Sequence, residues 1–181
     1  MNKCGHTGIY LASAAGRTGV VKNLLQLGAS VAVECGHHGT PLKGACANDH
    51  VEIVRLLLDL PDDVNTKEGP FGTPLRAASL MGHDSTVRTL LALGAEVNTI
   101  EPFGDALPAA AMKGHLPIAT TLNKHNSNLN NHGGYLGIAL QAATYRGRYH
   151  VVKALLDAGA SIDERGLFGD AVSAAVSAGN D

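Results

Sequence analysis

The chain has 181 residues, a formal net charge of −2 and a 45% apolar fraction, but only 4% aromatic residues and no tryptophan. Such small apolar residues suit short, closely packed helices better than a wide sheet sandwich. Charged residues make up 17% of the chain and form no concentrated basic face, which disfavours nucleic-acid binding.

A seven-residue motif recurs along the chain at a spacing of 32 or 33 residues. Residues 39–45 read GTPLKGA, and residues 72–78 read GTPLRAA. Related segments follow at 104–110, 137–143 and 169–175, and residues 7–12 fit the same frame at the front. Self-similarity at a period of this length indicates stacked supersecondary units.

The start of each repeat predicts a short, alanine-rich first helix. Thr7, Thr40 and Thr73 can each accept a hydrogen bond from a free N–H of the first turn, and Asp105 and Asp170 are spaced like the same caps. Proline suits the first helical position, and it occurs there in two repeats. A glycine, which tolerates positive φ, is expected to end the helix. These prolines and glycines are Pro41, Pro74, Gly16, Gly82, Gly114, Gly147 and Gly179.

A second helix is predicted by apolar residues at i, i+3 and i+4. Its apolar sets include Val54, Leu57 and Leu58; Val87, Leu90 and Leu91; and Val152, Leu155 and Leu156. His50, His83 and His115 precede this helix, where we expect a structural role. Gly-Ala pairs end it at 28–29, 94–95 and 159–160, and Val-Asn pairs follow at 64–65 and 97–98.

The chain resembles ankyrin repeats in three features: Thr-Pro-Leu at a helix start, Gly-His between the helices, and Gly-Ala followed by Val-Asn after the second helix. The helix starts are similar to those of ankyrin arrays from filamentous fungi. The resemblance implies an all-α ankyrin-repeat solenoid of helix-turn-helix repeats, five full and a partial sixth, in a single domain over 1–181. A TPR or HEAT array would need a longer period and bulkier helix contacts. The approximate repeats are 4–36, 37–69, 70–101, 102–134, 135–166 and 167–181.

One position departs from the family pattern. The histidine that usually follows Thr-Pro-Leu is replaced by Lys43, Arg76, Pro108, Gln141 or Ser173. We therefore expect the usual hydrogen bond of that histidine across the helix start to be missing.

Repeat four is irregular in its second helix. Asn123 stands at the position of Leu91 and Asn126 at that of Gly94, and Asn128, Asn130 and Asn131 follow. A buried amide needs partners that an apolar seam does not supply, so we expect poor packing between residues 116 and 132.

The last element, residues 171–176, is uncharged and has no second helix after it. End repeats normally turn polar, so this apolar end has two interpretations. The chain is a fragment of a longer array, or the end packs on another copy in a homo-oligomer.

The resemblance implies that partners bind the concave face, formed by the first helices and the projecting finger turns. Aromatic residues, Met and Arg are the types enriched in binding hot spots. The predicted partner-binding residues in the fingers are Phe71, Phe103, Tyr135 and Phe168, and those at the first-helix ends are Leu80, Met81, Met112, Lys113, Tyr145 and Arg146. The phenylalanines have an alternative role as packing between adjacent turns.

Charged residues follow the same two surfaces. Glu34, Glu68, Glu101 and Glu164 lie in the predicted fingers, and Lys43, Arg76, Lys113 and Arg146 lie along the first helices. Such charges select partners and speed encounter more than they add affinity. We expect most of them to lie on a solvated surface.

Metal binding and catalysis have little support in the sequence. Cys4, His6, Cys35, His37 and His38 include zinc-ligand types, but their spacing matches no zinc motif. No nucleophile elbow, phosphate loop or metalloprotease helix is present, so we expect no cofactor and no enzyme.

The cellular compartment is indicated by cysteines and by apolar runs. Three cysteines without a framework spacing predict free thiols in a reducing compartment. No signal peptide and no apolar run near the ~18 residues of a membrane span occurs. We expect a cytoplasmic protein that does not contact a membrane. A nuclear location is the alternative.

These observations predict a protein-binding recognition module. The alternative is a small-molecule-binding protein or enzyme with an atypical pocket in the concave groove. That alternative requires Met81, Met112 and Tyr145 to line a cavity beside an acid or a histidine. A purely structural scaffold is a third possibility, which the irregular fourth repeat disfavours.

Overall fold

The computed structural model describes residues 7–32, 39–60, 64–67, 72–99, 105–131, 138–166 and 169–179. Within these ranges the regular structure is eleven α-helices, with one isolated β-bridge between Gly166 and Gly169. The helices are α1 (Gly8–Ala14), α2 (Thr18–Gln26), α3 (Pro41–Cys46), α4 (Val51–Leu58), α5 (Pro74–Met81), α6 (Asp84–Ala92), α7 (Ala106–Lys113), α8 (Leu116–Lys124), α9 (Ala139–Tyr145), α10 (Tyr149–Asp157) and α11 (Ala171–Ala178). Odd-numbered helices are the predicted first helices, and even-numbered helices are the second ones.

The described residues form two compact units. The first unit contains the described residues up to 78 together with 85–95, and the second contains 79–84 and those from 96 onward. In each unit, first helices pack on their own second helices, as α3 does on α4 and α9 does on α10. The core of each unit therefore lies between the two kinds of helix.

Threonine side chains begin three first helices, as the sequence predicts. Each hydroxyl oxygen accepts a hydrogen bond from the backbone N–H three residues later, which satisfies a donor that has no partner inside the helix. The bonds run from Tyr10 to Thr7 (3.3 Å), from Lys43 to Thr40 (3.5 Å) and from Arg76 to Thr73 (3.2 Å).

The two aspartates at the same position behave differently. Asp170 is a cap, because its Oδ1 accepts from the Ser173 N–H at 2.7 Å, and this bond lowers the pKa of Asp170 below its usual range. The expectation for Asp105 is wrong: its side chain makes no capping bond to α7. It accepts instead from the N–H and hydroxyl of Thr99, and from the amide of Asn131.

The turn between first and second helix requires a left-handed residue in every described repeat. Four of the predicted glycines take it there, with φ values between 62° and 87°: Gly16, Gly82, Gly114 and Gly147. In repeat two Asp49 adopts φ 59°, which is costly for a residue with a Cβ. Its carboxylate accepts a hydrogen bond from the Thr86 hydroxyl at 2.7 Å, a contact that favours this strained conformation.

In two repeats the histidine before the second helix links neighbouring repeats. The Nε2 of His50 lies 3.1 Å from the Ala14 carbonyl oxygen, and the Nε2 of His115 lies 3.3 Å from that of Leu80. Because a carbonyl can only accept, each ring nitrogen donates. The expected structural role is confirmed for these two histidines.

Gln141 makes hydrogen bonds to the following repeat from the position after Thr-Pro-Leu. Its side chain is 1% exposed, and its Nε2 donates to the carbonyl oxygens of Glu164, at 2.9 Å, and of Gly169. A glutamine reaches these acceptors because its amide carries two donors on a flexible stem. The bond across repeats is therefore present here, without a histidine.

Asn128, Asn130 and Asn131 of repeat four make side-chain hydrogen bonds, while the poor packing expected between residues 116 and 132 stays a prediction. Asn126 takes φ 61°, and its carbonyl accepts from the Asn98 side chain at 3.0 Å. The Asn98 Oδ1 in turn accepts from the Asn128 N–H at 2.7 Å, and the Asn130 Oδ1 accepts from the Ser161 N–H at 3.0 Å. The side chains of Asn128 and Asn130 accept from the backbone N–H groups of Asn130 and Ser161, and that of Asn131 donates to Asp105, so these three side chains after α8 do not interrupt an apolar seam.

Asn123 is the exception and keeps the predicted weakness. It lies in α8 and borders an open cleft of 370 Å³ between α8 and α10. Ala119 and Thr120 of α8 and Ala154, Leu155 and Asp157 of α10 line the rest of this cleft together with Ala158. The cleft leaves space between α8 and α10 beside Asn123.

We expect Asn123→Leu to stabilise the protein. A leucine fills part of the cleft with apolar surface and adds about 1 kcal/mol to the free energy of unfolding, equivalent to about 2–4 °C in Tm. Thermal unfolding measures the shift, and hydrogen exchange in residues 116–124 should slow. Asn123→Ala controls for helix propensity, and a leucine variant no more stable than the alanine variant would contradict the prediction.

Candidate functional site

The six predicted residues at the first-helix ends all lie in the second unit. Leu80 and Met81 end α5, Met112 and Lys113 end α7, and Tyr145 ends α9 with Arg146 directly after it. We call these six residues the helix-end strip. They occupy the same two positions in three successive repeats, because each first helix stops before the same left-handed turn.

Two hydrogen bonds tie neighbouring parts of the helix-end strip together. His115 donates to the carbonyl of Leu80, and the Arg148 Nε donates to the carbonyl of Met112 at 3.3 Å. In addition, α7 packs directly against α9. The last turns of α5, α7 and α9 are therefore held in register by contacts between repeats.

Arg148 is not among the site residues predicted from the sequence, although its position in the repeat identifies it. It stands where other repeats carry the histidine before the second helix. Its guanidinium takes over the bond that the histidine makes elsewhere, since both side chains present an N–H at similar reach. The pattern of repeats predicts this role once the position, rather than the residue type, is compared.

The helix-end strip combines partly covered apolar groups with exposed charges. Met81 is 43% exposed, while Leu80, Met112 and Tyr145 are half-buried. Lys113 and Arg146 are exposed, and the Arg146 guanidinium carbon lies 5.7 Å from the centre of the Tyr145 ring. An arginine at this distance is attracted by the ring face. The strip therefore has an apolar centre with cationic groups beside it.

The finger residues of the predicted site, Phe71, Phe103, Tyr135 and Phe168, lie outside the described residues. The same holds for Glu34, Glu68 and Glu101 among the finger charges. Among the described residues, the candidate surface consists of the six residues of the helix-end strip.

Two of the predicted surface charges are buried, so these two are exceptions to the expectation that most of them lie on a solvated surface. Lys43 is 1% exposed and Arg76 is 8% exposed, and both take part in further interactions. Burial lowers the pKa of Arg76. Both residues occupy the position after Thr-Pro-Leu, which in these helices faces inward, so they are not available to select a partner.

The described clefts do not form the cavity that a small-molecule site at the helix-end strip would require. Four clefts among the described residues have volumes of 200 to 430 Å³, and none of these four is lined by Met81, Met112 or Tyr145. A wide-open cleft of 400 Å³ beside the strip contains Lys113, Arg148, Tyr149 and His150. It places cationic side chains, rather than an acid, next to the strip.

No metal centre or membrane helix is found in the described part of the chain. It contains no group of three His, Cys, Asp or Glu side chains able to hold an ion. Cys4, His6, Cys35, His37 and His38 lie outside it. No helix among the described residues is long and apolar enough to cross a membrane.

The paired helices, their capping threonines and the left-handed turns define an ankyrin-repeat array. A family model described as ankyrin repeats (3 copies) matches residues 1–68 and 75–166, so the chain belongs to the ankyrin-repeat family. The predicted all-α ankyrin-repeat solenoid class is thus confirmed. Ankyrin repeats generally act as protein-protein interaction modules, which confirms the predicted class of function, and the fold is typically non-enzymatic.

Among solved structures, the chain is similar to the ankyrin repeat domain of human ASB11. The two are 28% identical with a TM-score of 0.84, and the match covers 94% of this chain and 77% of that one. No curated protein matches the chain significantly.

Proposed function

We propose that the protein is a non-catalytic, cytoplasmic recognition module that binds another protein through the helix-end strip. The observation that carries this proposal is the arrangement of Leu80, Met81, Met112 and Tyr145 on one edge of the second unit. Large apolar side chains at fixed spacing, partly covered by their neighbours, bind with little loss of side-chain freedom.

The charges beside the strip support a partner of particular chemistry. Lys113 and Arg146 are exposed next to the apolar centre, and Arg148 lies close by with its guanidinium bonded to Met112. Complementary charge speeds encounter and fixes register more than it raises affinity. We therefore propose a partner surface with an apolar centre and acidic groups at its rim, and not a nucleic acid.

The proposal is tested by affinity capture from a lysate of the source organism. The intact protein is compared with a Leu80→Glu, Met112→Glu, Tyr145→Ser variant that keeps its helical circular dichroism. Because hot-spot truncation costs about 2 kcal/mol or more, the triple variant should bind the partner over about 100-fold more weakly. A protein held by the intact chain and lost from the variant supports the proposal.

A matched control uses apolar residues of similar exposure elsewhere. Leu11 is 45% exposed and Leu93 is 42% exposed, and both lie in the first unit. A Leu11→Glu, Leu93→Glu variant should retain the same partner as the intact protein. Loss from both variants, or retention by both, contradicts the assignment to the strip. A bound metabolite lost only from the strip variant would instead favour the small-molecule alternative.

A further inference from the structure

The cleft beside the helix-end strip collects positive charge from two neighbouring repeats. Lys113 at the end of α7 lines one side, and Arg148, Tyr149 and His150 line the other side around the start of α10. All four side chains are exposed, and the cleft has a volume of 400 Å³. Among the described residues, none of those that line it is an aspartate or a glutamate. We call the site formed by these four residues the cationic cleft.

This concentration of charge is particular to the junction of repeats four and five. At the three earlier junctions between repeats, the positions equivalent to the cationic cleft hold no lysine or arginine. The equivalent residues are Ala15, His50, Val51 and Glu52; Asn48, His83, Asp84 and Ser85; and Met81, His115, Leu116 and Pro117. The repeat fold forms without cations at these positions, so folding does not account for their presence here.

Arg148 combines a structural hydrogen bond with an open guanidinium end. Its Nε donates to the Met112 carbonyl oxygen, and a Cβ on Gly114 would lie 2.9 Å from its Cδ, so its stem is held closely over that glycine. Within the described part of the chain, its two terminal nitrogens make no hydrogen bond. A fixed guanidinium with its terminal N–H groups open matches the oxygens of a phosphate or a carboxylate.

The number of cations favours a phosphate over a single carboxylate. Lysine and arginine side chains are positively charged near neutral pH, so Lys113 and Arg148 together supply two charges, and His150 adds a further polar group. A carboxylate neutralises one of these charges. A phosphorylated side chain carries a charge of about −1.5 to −2 at pH 7 and has several strong acceptor oxygens. It therefore matches the charge of the cationic cleft more closely.

The cationic cleft adjoins the helix-end strip directly. Lys113 belongs to both, and Arg148 is bonded to Met112 of the strip. Arg146, another cation of the strip, lies two residues before Arg148. A partner segment whose apolar residues contact the strip would therefore bring a neighbouring side chain to the cleft.

We propose that the cationic cleft binds a phosphorylated serine or threonine of the partner protein, next to the apolar residues that contact the helix-end strip. The terminal nitrogens of Arg148 and the amine of Lys113 would donate to the phosphate oxygens, with His150 as a further donor. This inference rests on the function proposed for the strip, and it adds that phosphorylation of the partner controls binding.

The site is tested on the full chain with small capped amino acids, namely the N-acetyl N-methylamides of phosphoserine, glutamate and serine. Amide NMR shifts follow their binding. The phosphoserine probe should shift Gly114, Gly147 and His150 to saturation, and the glutamate probe should bind about fivefold or more weakly because it carries a single charge. The serine probe should not bind. Equal binding of the phosphoserine and glutamate probes, or phosphoserine shifts spread over the whole surface, overturns the phosphate assignment.

Arg148→His separates the open guanidinium end from the structural bond. A histidine makes the equivalent bond at His50 and His115, so the variant keeps a donor for the Met112 carbonyl while it loses the terminal nitrogens. Thermal unfolding should stay close to that of the intact chain, and binding of the phosphoserine probe should weaken about fivefold or more. Unchanged binding overturns the role of Arg148.

The other cations are tested together against a matched lysine. Lys113→Gln, His150→Gln removes exposed side chains of the cleft and should weaken phosphoserine binding about two- to tenfold, as expected for exposed charges. Lys124→Gln removes an exposed lysine of α8 elsewhere in the second unit and should leave binding unchanged. Equal weakening by both variants would mean that net charge, rather than the cationic cleft, binds the probe.

Phosphatase treatment of the lysate distinguishes this inference from the function proposed for the strip. In the affinity capture, the partner should be lost after phosphatase treatment and also from Arg148→His. A partner that the intact chain still captures after treatment, and that the Leu80→Glu, Met112→Glu, Tyr145→Ser variant loses, overturns the phosphate requirement but leaves the strip in place. A partner that the strip variant retains and Arg148→His loses overturns the function proposed for the strip, and with it the placement of the phosphate beside the strip.

Discussion

Asp105→Ala is expected to lower the free energy of unfolding by about 3 kcal/mol, since hydrogen bonds to a charged group contribute about 1.5–3 kcal/mol each. The carboxylate is 2% exposed and accepts from the Thr99 N–H at 2.9 Å, from the Thr99 hydroxyl at 3.0 Å and from the Asn131 amide. Alanine leaves these donors without their acceptor inside the fold. Thermal unfolding should show Tm lower by about 6–12 °C.

Asp170→Ala is the matched control for this substitution. Asp170 holds the same repeat position, but its carboxylate bonds locally, to Ser173 and Val172 at the start of α11. Its removal should fray that helix start with a smaller effect on global unfolding. Asp105→Asn, which keeps one acceptor, should fall between the two alanine variants. If Asp105→Ala were no worse than Asp170→Ala, the Thr99–Asn131 network would not contribute to stability.

The repeat architecture is predictable because each of its local signals has a local cause. A threonine three residues before a backbone N–H caps its own helix, as Thr7 does. A glycine takes positive φ wherever the chain must reverse, as at Gly114. Each of these effects involves residues close in sequence, and each recurs every 32 or 33 residues. The repeat pattern can therefore be recognised even where single repeats are imperfect.

Side chains whose partners lie in another part of the chain are the ones that sequence reasoning misplaced. Asp105 turns from its own helix because Asn131, 26 residues away, offers an amide. Asn130 reaches Ser161, 31 residues away, so the asparagines join loops rather than disturb a seam. Lys43 and Arg76 are buried, although their charge suggested the surface. The type of a residue does not reveal which distant part of the chain its side chain contacts.

The candidate site was predictable to the extent that it follows the repeat. Leu80, Met112 and Tyr145 were chosen by position near the end of a first helix, and all three lie there in one unit. Their partial burial was not predictable, because it depends on contacts such as those of His115 and Arg148 with the neighbouring repeat. Their role in binding stays a proposal.

Gln141→Met should destabilise the second unit by about 1–2 kcal/mol, because it removes the two hydrogen bonds that the buried amide donates to the carbonyls of Glu164 and Gly169, at about 0.5–1.5 kcal/mol each. Methionine nearly preserves the volume of the side chain, so lost packing contributes little. The two acceptors, Glu164 and Gly169, flank a segment that the paired backbone bonds between Gly166 and Gly169 also hold, at 2.9 and 3.1 Å. Urea denaturation measures the loss.

Ser173→Met is the control at the equivalent position of α11, where the side chain is exposed and a near-neutral change is expected. A second comparison isolates the contact itself. A Cβ on Gly166 would collide with the Gln141 amide oxygen, so Gly166→Ala should be harmful in the native background. In a Gln141→Ala background the collision disappears, and Gly166→Ala should cost less. Additive effects of the two changes would mean that Gln141 does not position this turn, since coupled neighbours deviate from additivity.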